Sequence, residues 1–443
     1  MKKISFVVMK SKTVFPILLA SAILVSSCAS MMMPKEKGRC ISFRAEGLSL
    51  GEALPSSVKY LRKYFSLNWC ASDSLKTHFA RQSELLKSNS SSDLTGREVA
   101  TIAFVGDIMW IRNGWNSFAD SRLTSRLAGY DMVFGNLETP VDTLSGVPSF
   151  LPDYVRYNSA PGLIRSFRKS NGSNIFTALS LANNHAFDMG AEGLSGTHGF
   201  LQNEGIYATG ASLPNDTMQS YVIAESNGLR IGFYAAGWGM NNPDLIEQGM
   251  LKMNIISGIA PYSENDAGIT EIVTILNKME ADSVDLKVLF MHWGYEYELY
   301  PDPVIVRLAR KLAEAGADMI IGSHPHVIQP AEIWESWPDK SGSEASPHRT
   351  LIAYSLGNFT TAMYSPAHRL GMVLPVTINI DDTGKPVWRA GKPWFVYNHV
   401  RGPAGRKRRL MIYDDYIGEI KLRSVRKADK VSDRLEPILQ LAF

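Results

Sequence analysis

The sequence has little cysteine. Three residues in 443, at positions 28, 40 and 70, are all it carries. A disulfide would therefore staple only the N-terminal part of the chain. Beyond the N-terminus no run of 18 apolar residues occurs, which argues against a membrane span in the body of the chain. Nor is there an excess of one charge: 46 basic against 43 acidic residues give a net charge of +3. That balance gives no argument for nucleic acid as a partner. No internal repeat is visible. What remains is globular composition, 45% hydrophobic and 20% charged, which suits one large domain or two smaller ones.

The N-terminus stands apart. Lys10 and Lys12 precede TVFPILLASAIL, an apolar core too short for an anchor helix, and VSSC then ends at Cys28. This is the pattern of a secretory signal, and Val25-Ser26-Ser27-Cys28 resembles a bacterial lipobox. That reading makes residues 1–27 a lipoprotein signal peptide, cleaved before a lipidated Cys28. The mature protein would then be anchored to a membrane at the cell envelope, facing periplasm or exterior. The plainer reading is a cleaved signal with a coincidental cysteine. Met9, followed by Lys-Ser-Lys, is an alternative start. Outside the cytoplasm Cys40 and Cys70 are expected to pair, against the simpler case of two free thiols. ASMMMPKEKGR after Cys28 reads as a tether and SNSSSD, 88–93, as a polar linker. Residues 28–98 are thus expected to be a tether and N-terminal extension.

From Thr101 short apolar strands alternate with helical stretches. Candidate strands are TIAFV (101–105), DMVFG (131–135), IFTALSL (175–181), LRIGFYAA (229–236), KVLFM (287–291), DMIIG (318–322) and LIAYSL (351–356). Between them PVIVRLARKLAEAGA, 303–317, has apolar residues at helical spacing. Such alternation predicts an α/β sheet. SYVIAESNGLRIGFY holds an Asn-Gly turn between apolar runs and predicts a hairpin, as does TINIDDTGKPVWRA, so the sheets should be mixed.

Polar residues gather just after these strands. They are Asp107 and Met109 after Gly106, Asn136 and Glu138, Asn183-Asn184-His185 with Asp188 behind, His292, Ser323-His324-Pro325-His326, and Asn358 after Gly357. In α/β folds the loops at the carboxyl ends of strands converge, and ligands bind there. Any one of these residues alone is better read as a turn or as a satisfied polar group. Together, carboxylates, imidazoles and an amide oxygen suit divalent Mn, Fe or Zn rather than a thiolate-seeking metal. His324 and His326, two apart, would point the same way from an extended segment.

Six of these segments, GDIMWIR, GNLETP, ANNHAFDMG, HWGYEYE, GSHPHVIQP and YSLGNF, occur in an order that resembles the CapA family. These are the bacterial poly-γ-glutamate capsule synthesis proteins, related to the calcineurin-like metallophosphoesterases. The resemblance spans roughly residues 101 to 381. It implies a four-layer α/β/β/α sandwich with two mixed sheets over about 99–400; the last forty residues lie outside it, and 401–443 read as a basic C-terminal tail. It also implies one or two divalent metal ions per chain. By motif, Asp107, Glu138, Asn184, His292, His324 and His326 would be metal ligands. His185 would act on the substrate, with Asp188 holding its ring as carboxylates beside such histidines do. Arg112 matches the arginine of GDIMWIR and would contact a carboxylate or phosphate, the alternative being a surface salt bridge. Glu296 matches a glutamate after HWG and would reach the substrate. One departure matters. The superfamily's first motif is Asp-x-His, and here Met109 stands in the histidine's place, a change CapA proteins commonly share. A thioether is a poor ligand for a hard divalent ion.

Two functions follow, against a third case in which a structural lipoprotein retains only the fold. One is metal-dependent hydrolysis of a phosphoester or of the γ-amide of poly-γ-glutamate. The other is non-catalytic binding or anchoring of an anionic capsule polymer, alongside other capsule-synthesis proteins. The remaining signals are weaker. Glu296 and Glu298 alternate as if extended, with Glu298 solvated, and Trp293 suits core packing. His198, His348, His368 and His399 match no motif and read as structural. RGPAGRKRRL, 401–410, reads as a solvated basic face.

Overall fold

The computed structural model describes residues 63–111, 118–147, 156–216, 220–241, 244–256, 267–337, 347–401 and 407–442. The signal segment, Cys28, Cys40 and Arg112 lie outside these residues. The chain divides into two compact units, Met1–Cys70 and Ala71–Phe443. In the first, 63–66 form one helical turn. Cys70 is disulfide-bonded, to a partner outside the described residues.

The second unit begins with helix α1 (Asp73–Ser91), strand β1 (Arg97–Met109), α2 (Ser121–Ala128), β2 (Met132–Glu138), β3 (Ala178–Ser180) and α3 (Gly190–Asn203). Next come β4 (Tyr207–Thr209), β5 (Ala211–Ser212), β6 (Val222–Ser226), β7 (Leu229–Gly237), β8 (Lys252–Met253), α4 (Ala267–Ala281) and β9 (Leu286–His292). Then follow α5 (Pro303–Glu314), β10 (Met319–Ser323), β11 (Ala331–Ser336), β12 (His348–Ala353), β13 (Asn358–Thr360), β14 (Leu370–Ile380) and β15 (Pro386–Ala390). The last elements are β16 (Trp394–Arg401), β17 (Lys407–Ile412), α6 (Tyr413–Lys421) and α7 (Val425–Ala442). All seven candidate strands fall on observed ones.

Two mixed sheets result. One has nine strands, β17-β16-β14-β1-β2-β3-β4, with β13 also on β1 and β15 on β14. The other has six, β11-β12-β10-β9-β7-β6. A small third sheet pairs β5 with β8. Because strand side chains alternate between faces, each large sheet has two apolar faces to cover. The inner faces meet through a file of stacked and tilted phenylalanines. Phe104 lies 5.6 Å from Phe134, Phe134 lies 5.1 Å from Phe233 of the other sheet, and Phe233 lies 5.9 Å from Phe290. On the outer face of the large sheet, Ala103, Val105, Val133 and Leu179 pack with Leu123 and Leu127 of α2 and Leu194 and Leu201 of α3. On the opposite outer face, Tyr234, Leu289, Ile320 and Ile352 pack with α4 and α5. The order is therefore helix, sheet, sheet, helix, as the family resemblance implies.

Local chemistry sets the boundaries. The side chain of Asp302 accepts from the Val304 amide at the start of α5, Pro303 fills its first turn, and Gly316 at φ +98° follows its end. The hairpin β6–β7 turns at Asn227 and Gly228, both at positive φ, as a two-residue loop requires. At Gly106 a Cβ would lie 1.9 Å from the carbonyl oxygen of Gly357. Only glycine lets β1 come that close to the loop that carries Asn358.

Two segments differ from expectation. The serine-rich stretch near 88 is helical as far as Ser91. Ser90 and Ser91 hydroxyls donate back to the Lys87 carbonyl, and Ser92 to that of Asn89, which holds the helix end together. The basic segment after 401 is not a tail either: β17 pairs with β16 along its whole length. Arg409 binds Asp120 and Glu419, and Arg408 donates to the carbonyls of Thr361 and Ala362 at 3.3 Å. These charges serve the fold rather than a solvated face. Among the described residues no helix is long and apolar enough to cross a membrane.

Helix α1 is held by a buried carboxylate. Glu332 of β11 receives two hydrogen bonds from Arg310 (3.1 and 2.8 Å), one from the Tyr354 hydroxyl (2.6 Å) and one from His78 of α1 (2.5 Å). Burial alone would raise its pKa. The bonds from His78, Arg310 and Tyr354 outweigh that and hold it below the ordinary glutamate range. A carboxyl whose folded pKa is depressed contributes stability above its unfolded pKa and loses it as pH falls through the folded value. Glu332→Gln is expected to destabilise the protein by about 3 kcal/mol at neutral pH, the low end for breaking a buried pair because Arg310 keeps some access to water. Urea denaturation of both proteins checks this, and the difference should shrink as pH falls below the glutamate range.

Candidate metal centre

The parallel strands of both sheets bring their carboxyl ends to one edge. In the large sheet Asp107 of β1 stands level with Asn136 of β2, and Met109 with Glu138. The chain after β3 supplies Asn183, Asn184 and His185. In the other sheet His292 ends β9, level with Ser323 of β10 and Gly237 of β7. His324 and His326 follow β10 directly. Asn358 opens β13 level with Asp107.

Two sets of side chains there could hold a cation, Glu138-His292-His324 and Asp107-Glu138-His326, with ligand atoms within 4.8 Å of one another in each. Glu138 belongs to both. It is fully buried, and neither carboxylate oxygen has a hydrogen-bond partner among the described residues. Its Oε1 lies 3.7 Å from His292 Nε2 and 3.8 Å from His326 Nε2. The buried Nδ1 of His324 is likewise without a hydrogen bond. A buried carboxylate left bare is costly unless something charged completes it.

Side-chain amides and a hydroxyl aim these groups. Asn136 Nδ2 donates to Asp107 Oδ1 at 2.8 Å and lies 3.2 Å from His292 Nδ1, where Ser323 Oγ sits at 3.0 Å. Asn136 Oδ1 in turn accepts from Asn183 at 3.1 Å. Asn358 donates through Nδ2 to the His368 carbonyl at 2.9 Å, so its Oδ1 accepts from His326 Nδ1 at 3.0 Å. That fixes the His326 tautomer and turns its Nε2 towards Glu138. Asn184 Oδ1 lies 2.9 Å from His292 Nε2, so both atoms face one point.

His185 sits beside this cluster and is buried. Its Nδ1 meets Asp188 Oδ2 at 2.7 Å, and the same oxygen accepts from the Tyr157 amide at 2.6 Å. The Tyr157 ring stacks on the imidazole at 3.7 Å, and Trp110 stacks on Tyr157 at 6.2 Å.

The structure corrects several readings. His324 and His326 do not lie on an extended segment. Both have positive φ, +97° and +57°, and the bend divides them between the two ligand sets. HWGYEYE also folds into a turn, with Gly294 at φ +92° and Tyr297 at +65°. Glu298 is consequently buried, not solvated. Glu296 Oε1 lies 3.6 Å from His326 Nε2. Trp293 is core, its indole donating to the Tyr354 carbonyl at 3.2 Å. His368 is fully buried beside the cluster, its ring 4.6 Å from Tyr297. Met109 Sδ accepts from the Thr361 hydroxyl at 3.4 Å. Asn136, Asn183, Ser323, Asn358 and Tyr157 had no assigned role. The first four stand at strand ends within the recognised motifs, but nothing local says which histidine or carboxylate each would touch.

The sequence comparisons agree with the motifs. The family model for the bacterial capsule synthesis protein PGA_cap matches residues 101–363. The chain belongs to that family. The PGA biosynthesis protein CapA of Bacillus subtilis is 28% identical over 272 residues, covering 59% of this chain and 63% of that protein. The capsule biosynthesis protein CapA of Bacillus anthracis is 30% identical over 280 residues, covering 59% and 60%. The chain thus spans less than two thirds of the length of either relative. A solved structure described as a novel phosphatase from Mycoplasma pneumoniae is 10% identical and covers 67% of this chain and 95% of its own, at a TM-score of 0.33, too loose a likeness to assign the fold by.

Electrostatics test whether the PGA_cap site suits a metal. Burial, and then the neighbouring Asp107 charge, push Glu138 well above the usual carboxylate range. Burial pulls His292 well below the ordinary histidine value and His324 down to about 4. Burial also lowers His326, but Glu138, Asp107 and Glu296 outweigh it and hold it well above normal. A dry pocket with two carboxylates and several imidazoles thus draws in positive charge, by protonation if nothing else supplies it. A hard-to-borderline divalent cation meets the same demand and matches these donors. The residues fit one. Ligands must be deprotonated to bind metal, so loading is expected to release protons and to weaken as pH falls. Calorimetric titration of Mn or Zn in buffers of different ionisation enthalpy checks this, and zero net proton release would contradict it.

Proposed function

We propose that this PGA_cap protein is a cell-envelope, metal-dependent hydrolase of capsule-polymer synthesis, acting on a phosphoester or on the γ-amide of poly-γ-glutamate. The observation that carries the reading is Glu138, a buried carboxylate bare of hydrogen bonds and common to two ligand sets. The Bacillus relatives, named for PGA and capsule biosynthesis, support the polymer. The lipobox-like VSSC supports anchoring to a membrane through Cys28.

Asp107, Glu138, Asn184, His292, His324 and His326 would hold one or two ions of Mn, Fe or Zn. Bound there, divalent cations supply Lewis acidity towards a phosphoryl or carbonyl oxygen. The rest falls to side chains. Asp188 accepts from His185 Nδ1 and so keeps the proton-donating role for Nε2, which would protonate the departing oxygen or nitrogen. Tyr157, stacked on the imidazole, keeps that ring from swinging. Arg112 would pair with an anionic group of the substrate.

A second reading, anionic-polymer binding without turnover, is favoured by Met109, whose thioether is bonded to Thr361 where the superfamily has a ligand. Assay of the Mn- or Zn-loaded protein on bis-p-nitrophenyl phosphate and on poly-γ-glutamate decides between them. Hydrolysis is expected, with His185→Ala slower by about 10²–10⁴-fold. Equal rates would remove His185 from the chemistry. A metal-loaded protein that binds polymer and cleaves neither substrate would establish the second reading.

A further inference from the structure

The set Asp107-Glu138-His326 offers three donors, and the position from which a fourth would come is blocked. Met109 is buried and its sulfur is engaged by the Thr361 hydroxyl at 3.4 Å. A soft thioether would in any case be a weak ligand for a hard ion.

Glu296 meets the same set at His326. Its Oε1 lies 3.6 Å from His326 Nε2, the ring nitrogen left over once Nδ1 is committed to Asn358. Its side chain is a quarter exposed, whereas those of Asp107, Glu138 and His326 are at most 2% exposed. It is thus the most exposed of the four side chains. The loop that delivers it is braced. The Tyr297 amide donates to the Pro325 carbonyl at 2.8 Å, which ties the turn after β9 to the bend carrying His324 and His326. Of six non-glycine residues at positive φ among those described, three are Tyr297, His324 and His326. Such backbone costs energy and persists where the surroundings enforce it. The bare oxygens of Glu138 point independently to a cation at this spot.

We propose that Glu296 is a ligand to the cation held by Asp107, Glu138 and His326, filling the coordination position that Met109 cannot. The inference rests on the metal centre proposed above. In place of the lost histidine the site takes a carboxylate from another loop, which makes this subsite harder and more oxygen-rich than its neighbour at Glu138-His292-His324. That balance favours Mn over Zn at the Glu296 side.

Calorimetric titration of Mn into the full chain and its Glu296→Gln and Glu296→Asp variants, without substrate, tests it. Thermal unfolding of each metal-free protein reports whether the fold is kept. In Glu296→Gln one Mn equivalent is expected to weaken by roughly tenfold or more while the other is unchanged. Glu296→Asp should fall between Gln and wild type. Unchanged affinities in a folded Glu296→Gln would overturn the inference while leaving the metal centre standing. A wild-type chain that takes up no Mn or Zn would overturn the metal centre itself, and the inference with it.

Discussion

The arrangement at the sheet edge depends on one constraint, a glutamate buried from water to which no group among the described residues donates. Glu138 is fully buried at the end of β2, beside Asp107, and both its oxygens are bare. Burial in that dry pocket, and then the Asp107 charge beside it, raise the Glu138 pKa. The two sheets could have packed a leucine there at no such cost. A buried charge kept in that condition makes sense if its partner is an ion rather than a side chain. Around it the imidazoles are aimed from the second sheet, so the site exists only when the two sheets are face to face.

A shell of amides does the aiming. Asn136, Asn183 and Asn358 each bridge two strand ends through one donor and one acceptor. Because an amide group presents both, it can accept a hydrogen bond from a histidine on one side and donate one to a carbonyl on the other. Asn183 shows the economy of this: it donates to Asn136 and to the Leu137 carbonyl, and it accepts from the His185 amide. The stretch ANNH is thereby bolted to β2 before its histidine meets Asp188. The glycine at 106 belongs to the same scheme, since it lets β1 approach the Asn358 loop closely enough for these bonds to form.

Much of this was legible in the sequence, and for physical reasons. Buried parallel strands read as continuous apolar runs, so all seven central strands were visible, and the polar residues at their ends marked the working edge. Three things were not legible. The directions of His324 and His326 were misjudged because positive φ at histidine is a tertiary imposition that local preference argues against. Strand β17 hid behind a run of basic residues, two of which find partners elsewhere in the chain: Arg409 in Asp120 and Glu419, Arg408 in the backbone near Thr361. The pairing of Asn136 with Asp107 and of Asn358 with His326 joins residues far apart in the chain, and spacing alone carries no trace of it.

The pocket around Glu138 is proposed to be a cation site. X-ray diffraction from crystals grown or soaked with Mn, recorded at a wavelength where its anomalous signal is strong, tests that most directly. An anomalous peak within ligand distance of a Glu138 oxygen and of His292, His324 or His326 is the predicted result. A pocket that stays free of anomalous density, with Glu138 instead hydrogen-bonded to a neighbouring side chain, would contradict it.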